Sequence, residues 1–578
     1  MSYSQLNETI QKRVDEWLGP EYDDTTHQEI QDLLKAGNIK ELEDRFYTEL
    51  EFGTGGLRGI IGAGTNRMNR YVVRKATQGL ANYIYKHGDP SKGVVIGRDS
   101  RIMSDVFAME TASVMAANGI KVYFYEDIHP TPTVSFAVRE LQAQAGVMIT
   151  ASHNPKEYNG YKVMWADGCQ VVPPVDKGII EEVRAITTLS QVKYIDFNEG
   201  KNRGLIEIID GRIDPIYLKK VQTIAIHPDS ATKANFKICY SPLYGTGYKL
   251  IPQALKSWGF SDVYVLPEQG TPDGNFPTTP YPNPEETDAM KRGMTYASEH
   301  GYDIFVATDP DADRLGVALR DRNGSMVLLN GNQIATLLAY YVATQKSLPS
   351  KPYMVKTIVT TELIRDITNE YGIELVDVLT GFKWIGNTIA QYEKTGKQFI
   401  FGCEESHGVL LADFVRDKDA IMGVSMFVEL AAYYKSQNTS ALNVLYDIYR
   451  KYGFYKESQK SLSLTGQEGL EKIKAMMEKL RTQTPSQLGK WTVLEKQDMK
   501  RDEVIDMTTG TKKGTTGLPS SDVVVLKLSD GAKVVARPSG TEPKIKFYFT
   551  TRGKFDDMKA VESDHEALRQ AFLSYIQA

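Results

Sequence analysis

Three aspartates alternate along the stretch TDPDADR, Asp309, Asp311 and Asp313, directly after the apolar run IFVA. In extended backbone, residues two apart point to the same side, so three carboxylates converge there. With charges about 6 Å apart at an effective dielectric of about 20, each pair repels by about 2.8 kcal/mol, or about two pKa units. Without a cation, at least one of the three is expected to keep its proton. A divalent ion removes the repulsion, and an all-oxygen donor set favours a hard one, Mg2+ first and Mn2+ second. A calcium EF-hand is excluded, because its sixth and twelfth positions call for Gly and Glu but hold Arg314 and Arg320. The alternative is a solvated acidic turn. Arg314 weighs against it, since a guanidinium beside a metal makes a phosphate clamp.

A second candidate is TASHNP, Thr150 to Pro155, at the end of the apolar run GVMI. A β-branched and apolar run closed by Asn-Pro reads as a strand-to-loop edge, with Ser152 on a tight, exposed loop. Taken alone, Ser152 could equally form an ST-turn that satisfies only its own backbone. FGTGGLRG (Phe52 to Gly59) lacks the third glycine of a dinucleotide fingerprint, and no Gly-Lys-Ser/Thr triplet occurs in the chain. Its glycines allow close approach to an anion, with Arg58 in reach, or form a plain surface loop. RPSGTEPK offers the fork of Arg537, the hydroxyls of Ser539 and Thr541, and Gly540, a set suited to a phosphate monoester or to an ordinary turn. GCEESHG, after the strand-like KQFIF, brings Glu404 and Ser406 without a cation cluster, which suits sugar hydroxyls or an acidic surface turn. TGFKWIGN sets Lys383 on a turn before a helix, as a phosphate contact or a solvated lysine.

Strand-like and helix-like segments alternate in three series, KGVVIGRDSR to GVMITASHNP, FKICYSP to YDIFVATDPDADR, and NGNQIATLLAYYVATQ to KQFIFGCEESHG. Such alternation predicts α/β domains with parallel sheets and right-handed crossovers, and it sets the polar loops at the carboxyl ends of strands. Residues up to about Leu50 predict a helical lead-in. SDVVVLKLSD, AKVVARPSG and KIKFYFTT predict an antiparallel sheet, followed by a helix from about Asp556. The expected division is 1–205, 206–325, 326–455 and 456–578, three mixed α/β domains and a smaller C-terminal α+β domain. Linkers are expected near Asn198 to Gly204 and Lys456 to Ser463. No repeat is visible in the sequence.

At 578 residues the chain is too long for one core. Its 41% hydrophobic and 24% charged content is that of an ordinary globular protein, and a formal net charge of −5 gives no support for nucleic-acid binding. Cys169, Cys239 and Cys403 are scattered without zinc spacing and suit a reducing compartment. The polar N-terminus lacks a signal-peptide core, and no apolar stretch reaches the ~20 residues of a membrane span. The expectation is a cytoplasmic protein with no membrane partner.

In this order, Ser152, the aspartate triad, the Glu-Ser loop and the Arg-Ser-Gly-Thr loop resemble those of the α-D-phosphohexomutases, in the phosphoglucomutase/phosphomannomutase branch with a longer N-terminus. The resemblance runs over essentially the whole chain from about Leu50. It implies a four-domain, heart-shaped fold with a central active-site cleft, acting on small-molecule sugar phosphates as a monomer or homodimer. It implies a mutase that interconverts hexose 1-phosphate and hexose 6-phosphate through a phosphoserine and a bound hexose 1,6-bisphosphate. Glucose is the first choice of sugar, with mannose or a pentose as alternatives. By that likeness Ser152 carries the phosphoryl group and ligates Mg2+ with Asp309, Asp311 and Asp313. Glu404 and Ser406 contact the sugar, and Arg537, Ser539, Gly540 and Thr541 hold the distal phosphate. Arg58, His153, Lys162, Arg314 and Lys383 match cationic or proton-transfer positions around the reacting phosphate, His153 and Lys162 being the proton shuttles. One departure is that His407 directly follows Ser406, so a histidine contact to substrate does not carry over. The rivals are a metal-dependent sugar phosphatase, which needs no distal phosphate loop, and a non-enzymatic sugar-phosphate sensor, which needs no nucleophile. The resemblance also implies reorientation of a bisphosphate, for which a hinge of the C-terminal domain near Lys456 to Ser463 is expected.

Overall fold

The computed structural model describes residues 3, 6–51, 56–464, 466–539 and 544–577, so Gly540 and Thr541 lie outside the described residues. The chain forms two compact units, residues 1–330 with 385–395 and 407–433, and residues 331–384 with 396–406 and 434–578.

In the first unit, the helical lead-in is α1 (Glu8–Trp17), α2 (Asp24–Lys35) and α3 (Ile39–Phe46). Asn7, Asp23 and Asn38 cap them, each side chain accepting a hydrogen bond from a first-turn N–H. Val14, Trp17, Ile30, Leu42 and Phe46 bury themselves against one another and against Ala63 and Tyr71. The extension is therefore docked on the first α/β domain.

That domain carries a six-stranded sheet of β1 (Gly56–Ile60), β2 (Val94–Arg98), β3 (Val122–Phe124), β4 (Ala145–Ile149), β5 (Tyr158–Trp165) and β6 (Ile206–Ile208), in the order β1-β5-β4-β2-β3-β6. Strands β4, β2, β3 and β6 are parallel, β5 runs against β4, and β1 at the edge runs against β5. The second sheet repeats the plan with β7 (Ile238–Ser241), β8 (Val263–Val265), β9 (Ile304–Thr308), β10 (Leu315–Arg320) and β11 (Met326–Leu329), ordered β11-β10-β9-β7-β8. Here too, β8, β7 and β9 are parallel, β10 runs against β9, and β11 runs against β10. Every residue of β4 and of β9 is buried, as in strands covered on both faces. The expected parallel strands thus form the centre of each sheet, and an antiparallel pair extends one edge. After β4 and after β9 the chain turns straight back as a hairpin, which brings both flanks of the intervening loop together.

In the second unit, β12 (Pro352–Thr357), β13 (Glu374–Val378) and β14 (Gln398–Glu404) are parallel, with β12 central. The next strand, β15 (Gly408–Leu410), lies within the first unit. The C-terminal sheet comprises β16 (Phe454–Ser463), β17 (Gln487–Leu488), β18 (Trp491–Asp498), β19 (Glu503–Asp506), β20 (Lys512–Gly514), β21 (Val524–Leu528), β22 (Lys533–Pro538) and β23 (Lys544–Gly553). Its order is β16-β23-β22-β21-β18-β19-β20, antiparallel throughout, with β17 on β18. The final helix, Met558–Gln577, closes a core of Phe547, Phe549, Leu568 and Phe572.

Three expectations are corrected. The first and second sheets extend to β6 and β11, so limits at 205 and 325 each fall one strand short. Asn198 to Gly204 overlaps a helix, Phe197–Asn202. Lys456 to Ser463 is no linker but part of β16, paired to β23 along its whole length, so it supplies no hinge. Among the described residues, no helix is long and apolar enough to cross a membrane.

Candidate active site

The loop Asp309 to Arg314 joins β9 to β10, whose register puts Thr308 opposite Leu315. Asp309 shapes it. Its Oδ1 accepts the N–H groups of Asp313 (3.1 Å) and Arg314 (3.0 Å), while Ala312 takes a left-handed φ of 49°. All three aspartates are buried, and one oxygen of each lies within 4.8 Å of the others. Asp311 Oδ2 accepts from Thr131 Oγ1 (2.7 Å) and Lys162 Nζ (2.7 Å). Asp313 Oδ2 accepts from Lys162 Nζ (3.0 Å) and pairs with Lys418 Nζ (3.1 Å). The second oxygens, Asp311 Oδ1 and Asp313 Oδ1, are buried without a hydrogen-bond partner. A buried oxygen left unsatisfied is costly. Two of them beside a third carboxylate make a donor set that fits a small, hard divalent cation. Burial and the neighbouring carboxylates push the Asp309 carboxyl well above the usual range. Burial would raise Asp313 as well, but Lys162, Lys418 and Arg314 hold it below.

Ser152 stands in the other hairpin loop, between β4 and β5. Its Oγ donates to Asp309 Oδ2 at 2.7 Å and lies 3.2 Å from His153 Nδ1. Its backbone is left-handed, with φ 52°, and its N–H donates to Thr150 Oγ1 (2.8 Å), which donates to Asp99 Oδ2 (2.6 Å). The expected exposure is corrected, because Ser152 is only 3% exposed. The aspartate loop covers its hydroxyl. Gly160 on β5 allows this close fold, since a Cβ there would lie 2.5 Å from the Thr150 carbonyl oxygen. Two residues further, Lys162 reaches Asp311 and Asp313. Arg58 is not in a loop but on β1, where its Nη1 donates to Asn154 Oδ1 at 3.3 Å. Arg314 is paired with Glu285. Burial, then the charges of Arg314 and Arg58, hold the His153 ring well below its usual pKa. Burial would also lower Lys162, but Asp311 and Asp313 raise it.

The remaining expected contacts belong to the second unit. Glu404 ends β14 and is buried. Glu405 is held back by Thr357 Oγ1 (3.1 Å) and Thr360 Oγ1 (3.2 Å), and Ser406 is half-buried beyond it. Lys383 is the second residue of the helix Phe382–Tyr392, its ammonium 5.3 Å from the Trp384 ring. Arg537 lies near the end of β22, opposite Lys546. The Ser539 N–H donates to the Lys544 carbonyl at 2.7 Å. Burial, and then the Glu405 charge, raise the Tyr548 hydroxyl, while Arg537 opposes them, so these groups share one electrostatic neighbourhood.

Sequence models of the phosphoglucomutase/phosphomannomutase alpha/beta/alpha domains I, II and III match residues 49–190, 215–324 and 330–452. The chain belongs to that family. It is a mutase, an enzyme of the isomerase class, with three α/β domains and a sheet-rich C-terminal domain. It is 35% identical over 551 residues to a phosphoglucomutase of Staphylococcus saprophyticus, covering 95% of this chain and 97% of the relative. It is also 35% identical over 570 residues to a protein described as a probable phosphoribomutase of Schizosaccharomyces pombe, covering 95% and 94%. The fold resembles that of the phosphoglucomutase parafusin from Paramecium in its open form, with a TM-score of 0.68 at 17% identity, over 92% of this chain and 95% of that one.

Four residues around the candidate site were not legible as such. Thr131 and Lys418 reach the aspartates from distant segments, and Asp99 and Arg101 support the serine loop. The stretch VRDKDA (Val415 to Ala420) reads as a solvated charge run, yet Arg416, Asp417, Lys418 and Asp419 are all buried. The usable signal was its position, directly after the apolar GVLLADF. His407, which carried no transferable role, is buried with Nδ1 2.9 Å from the Leu315 carbonyl, a structural tie.

Proposed function

We propose that this mutase interconverts hexose 1-phosphate and hexose 6-phosphate, with glucose as the sugar, through phosphorylated Ser152 and a hexose 1,6-bisphosphate. The observation that carries the reading is the 2.7 Å contact of Ser152 Oγ with Asp309 inside a buried triad of carboxylates. Ser152, Asp309, Asp311 and Asp313 would hold Mg2+. When bound, the ion would neutralise charge on the transferring phosphoryl group.

In the first half-reaction the free sugar hydroxyl attacks the phosphorus on Ser152, a new P–O bond forms, and the bond to Oγ breaks in line. His153, beside Oγ and held neutral, takes the proton that the attacking hydroxyl releases and passes it to the departing Ser152 Oγ. Lys162 keeps its own proton between two carboxylates and acts by charge. Arg58 and Arg314 draw the equatorial phosphoryl oxygens. Glu404 and Ser406 orient the sugar hydroxyls. Lys383 adds a cation for the reacting phosphate, and Arg537, Ser539, Gly540 and Thr541 hold whichever phosphate is idle. The bisphosphate turns over, and the second half-reaction returns its other phosphate to Ser152. Three buried, unpaired cysteines suit the cytoplasm as the place of action.

A pentose phosphate is the second reading, favoured by the equal identity to the phosphoribomutase relative. The test is kcat/KM for glucose, mannose, glucosamine and ribose 1-phosphates, each with a trace of its bisphosphate, together with intact mass of the protein. Wild-type protein should carry one phosphate that turns over with substrate, and Ser152→Ala should fold, carry none and be inactive. Release of inorganic phosphate outpacing isomerisation would mark a phosphatase instead.

A further inference from the structure

Arg101 is a wholly buried guanidinium at the end of the GRDSR loop after β2, and the reaction scheme has no use for it. Its Nη2 donates to the carbonyl oxygens of Ser152 and Asn154, both at 2.5 Å, and Nη1 to those of Pro155 (2.8 Å) and Tyr158 (3.0 Å). Three carbonyls of the nucleophile loop and the first of β5 thus converge on one planar fork. Its Nε faces Asp99 Oδ2 at 3.3 Å, the same oxygen that accepts from Thr150. The second domain closes the other side. The Phe276 ring lies 5.0 Å from the guanidinium carbon, and Gly274 forms a β-bridge with Arg101. A Cβ at Gly274 would stand 2.6 Å from the Ser100 carbonyl oxygen, so only glycine permits this approach.

These contacts answer a local problem. The carbonyls of Ser152 and Asn154 are not in a strand ladder, and buried carbonyls need donors. A non-glycine residue at φ 52° persists only where its surroundings over-determine it. One arginine supplies four donors to that loop and the start of β5, and stacks on the domain that carries the three aspartates. A lysine, with a single point charge, cannot span the same set.

We propose that Arg101 is a positioning residue that sets Ser152 Oγ against Asp309 by locking the nucleophile loop to the second domain. This rests on the reading of Ser152 as the phosphoryl carrier. Displacing a reacting atom by about 1 Å can cost about 100-fold in rate.

The test uses Arg101→Lys, Arg101→Met and Phe276→Leu in the full chain. For each, kcat and KM are measured with glucose 1-phosphate and trace bisphosphate, with Tm as a control. The rate at which glucose 1,6-bisphosphate phosphorylates Ser152 is followed by intact mass. Arg101→Lys should lose about 100-fold in kcat with KM nearly unchanged, and the phosphorylation rate should fall in parallel. Phe276→Leu should lose about tenfold in the same pattern. If Arg101→Met does not fold, the other two decide. A lowered Tm with wild-type kcat and phosphorylation rate in the folded fraction would mean a purely structural role and overturn the proposal. If Ser152→Ala is inactive while Arg101→Lys behaves as wild type, this inference alone fails. If Ser152→Ala turns over normally, the phosphoserine reading fails first.

Discussion

Ser152 combines a strained backbone with a hydroxyl aimed at a carboxylate. A left-handed φ at a non-glycine residue costs of order 1 kcal/mol, and the Thr150 and Asp99 hydrogen bonds offset it locally. The aspartates pose the opposite problem, since charge rather than backbone is strained. Lys162 and Lys418 relieve Asp313, while Asp309 is pushed toward its protonated form. Removing one carboxylate should therefore weaken cation binding more than it disturbs the fold. For Asp311→Asn we expect Mn2+ affinity, read by titration, to fall by at least about tenfold. The rise in Tm on adding Mg2+ should shrink with it. An undiminished Mg2+-dependent Tm shift would remove Asp311 from the cation site.

Secondary elements decide which residues can meet. Each of the first two sheets feeds a parallel strand into a loop and returns it at once as an antiparallel strand, β4 to β5 and β9 to β10. A crossover helix would have carried Lys162 away, whereas the hairpin brings it back beside its own loop. The C-terminal domain uses a helix for the same kind of tie. His565, on the helix Met558–Gln577, lies 2.6 Å from Ser458 Oγ on β16 and 3.0 Å from Thr551 Oγ1 on β23. Burial pushes its pKa down to about 4, against about 6.5 in the unfolded chain. A depressed pKa means the unfolded state takes the proton first. The stability it contributes is full above about pH 6.5, falls as pH drops toward about 4, and is lost below that. The loss is about 1.4 kcal/mol per pH unit at most. His565→Gln should flatten this limb, read as the urea midpoint at pH 7, 5.5 and 4.5. Parallel profiles for both proteins would rule the residue out.

At the scale of the molecule, the third α/β domain and the C-terminal sheet are joined within one unit. Ile358, Val359 and Leu379 pack against Val523, Val525, Val535 and Tyr548. Lys533 Nζ crosses the same boundary to the Ile358 carbonyl (3.0 Å) and Glu362 Oε1 (2.7 Å), and Glu362 also pairs with Lys356 and Arg365. Breaking a buried ion pair by removing one partner is costly, and Lys533→Met should destabilise this unit by about 3 kcal/mol. Trp384, which packs against the joining cluster, reports it by fluorescence in urea. An unchanged midpoint would show that the apolar cluster alone holds the boundary.

The residue types and their order carried much of the chemistry. The alternation of Asp309, Asp311 and Asp313 predicts convergence because it is local, and the alternating strand and helix patterns predict three α/β domains for the same reason. Boundaries were less legible, since β6 and β11 are short and belong to sheets formed from distant strands. Polar β16 read as a linker, although its hydrogen bonds to β23 make it a strand. The burial of Ser152, the charge run at Arg416 to Asp419, and the reach of Thr131, Lys418 and Arg101 depend on segments far apart in the chain. Local pattern specifies what a segment can form. Only tertiary packing decides which charge is taken from water and which partner compensates it, because both depend on neighbours that local sequence does not name.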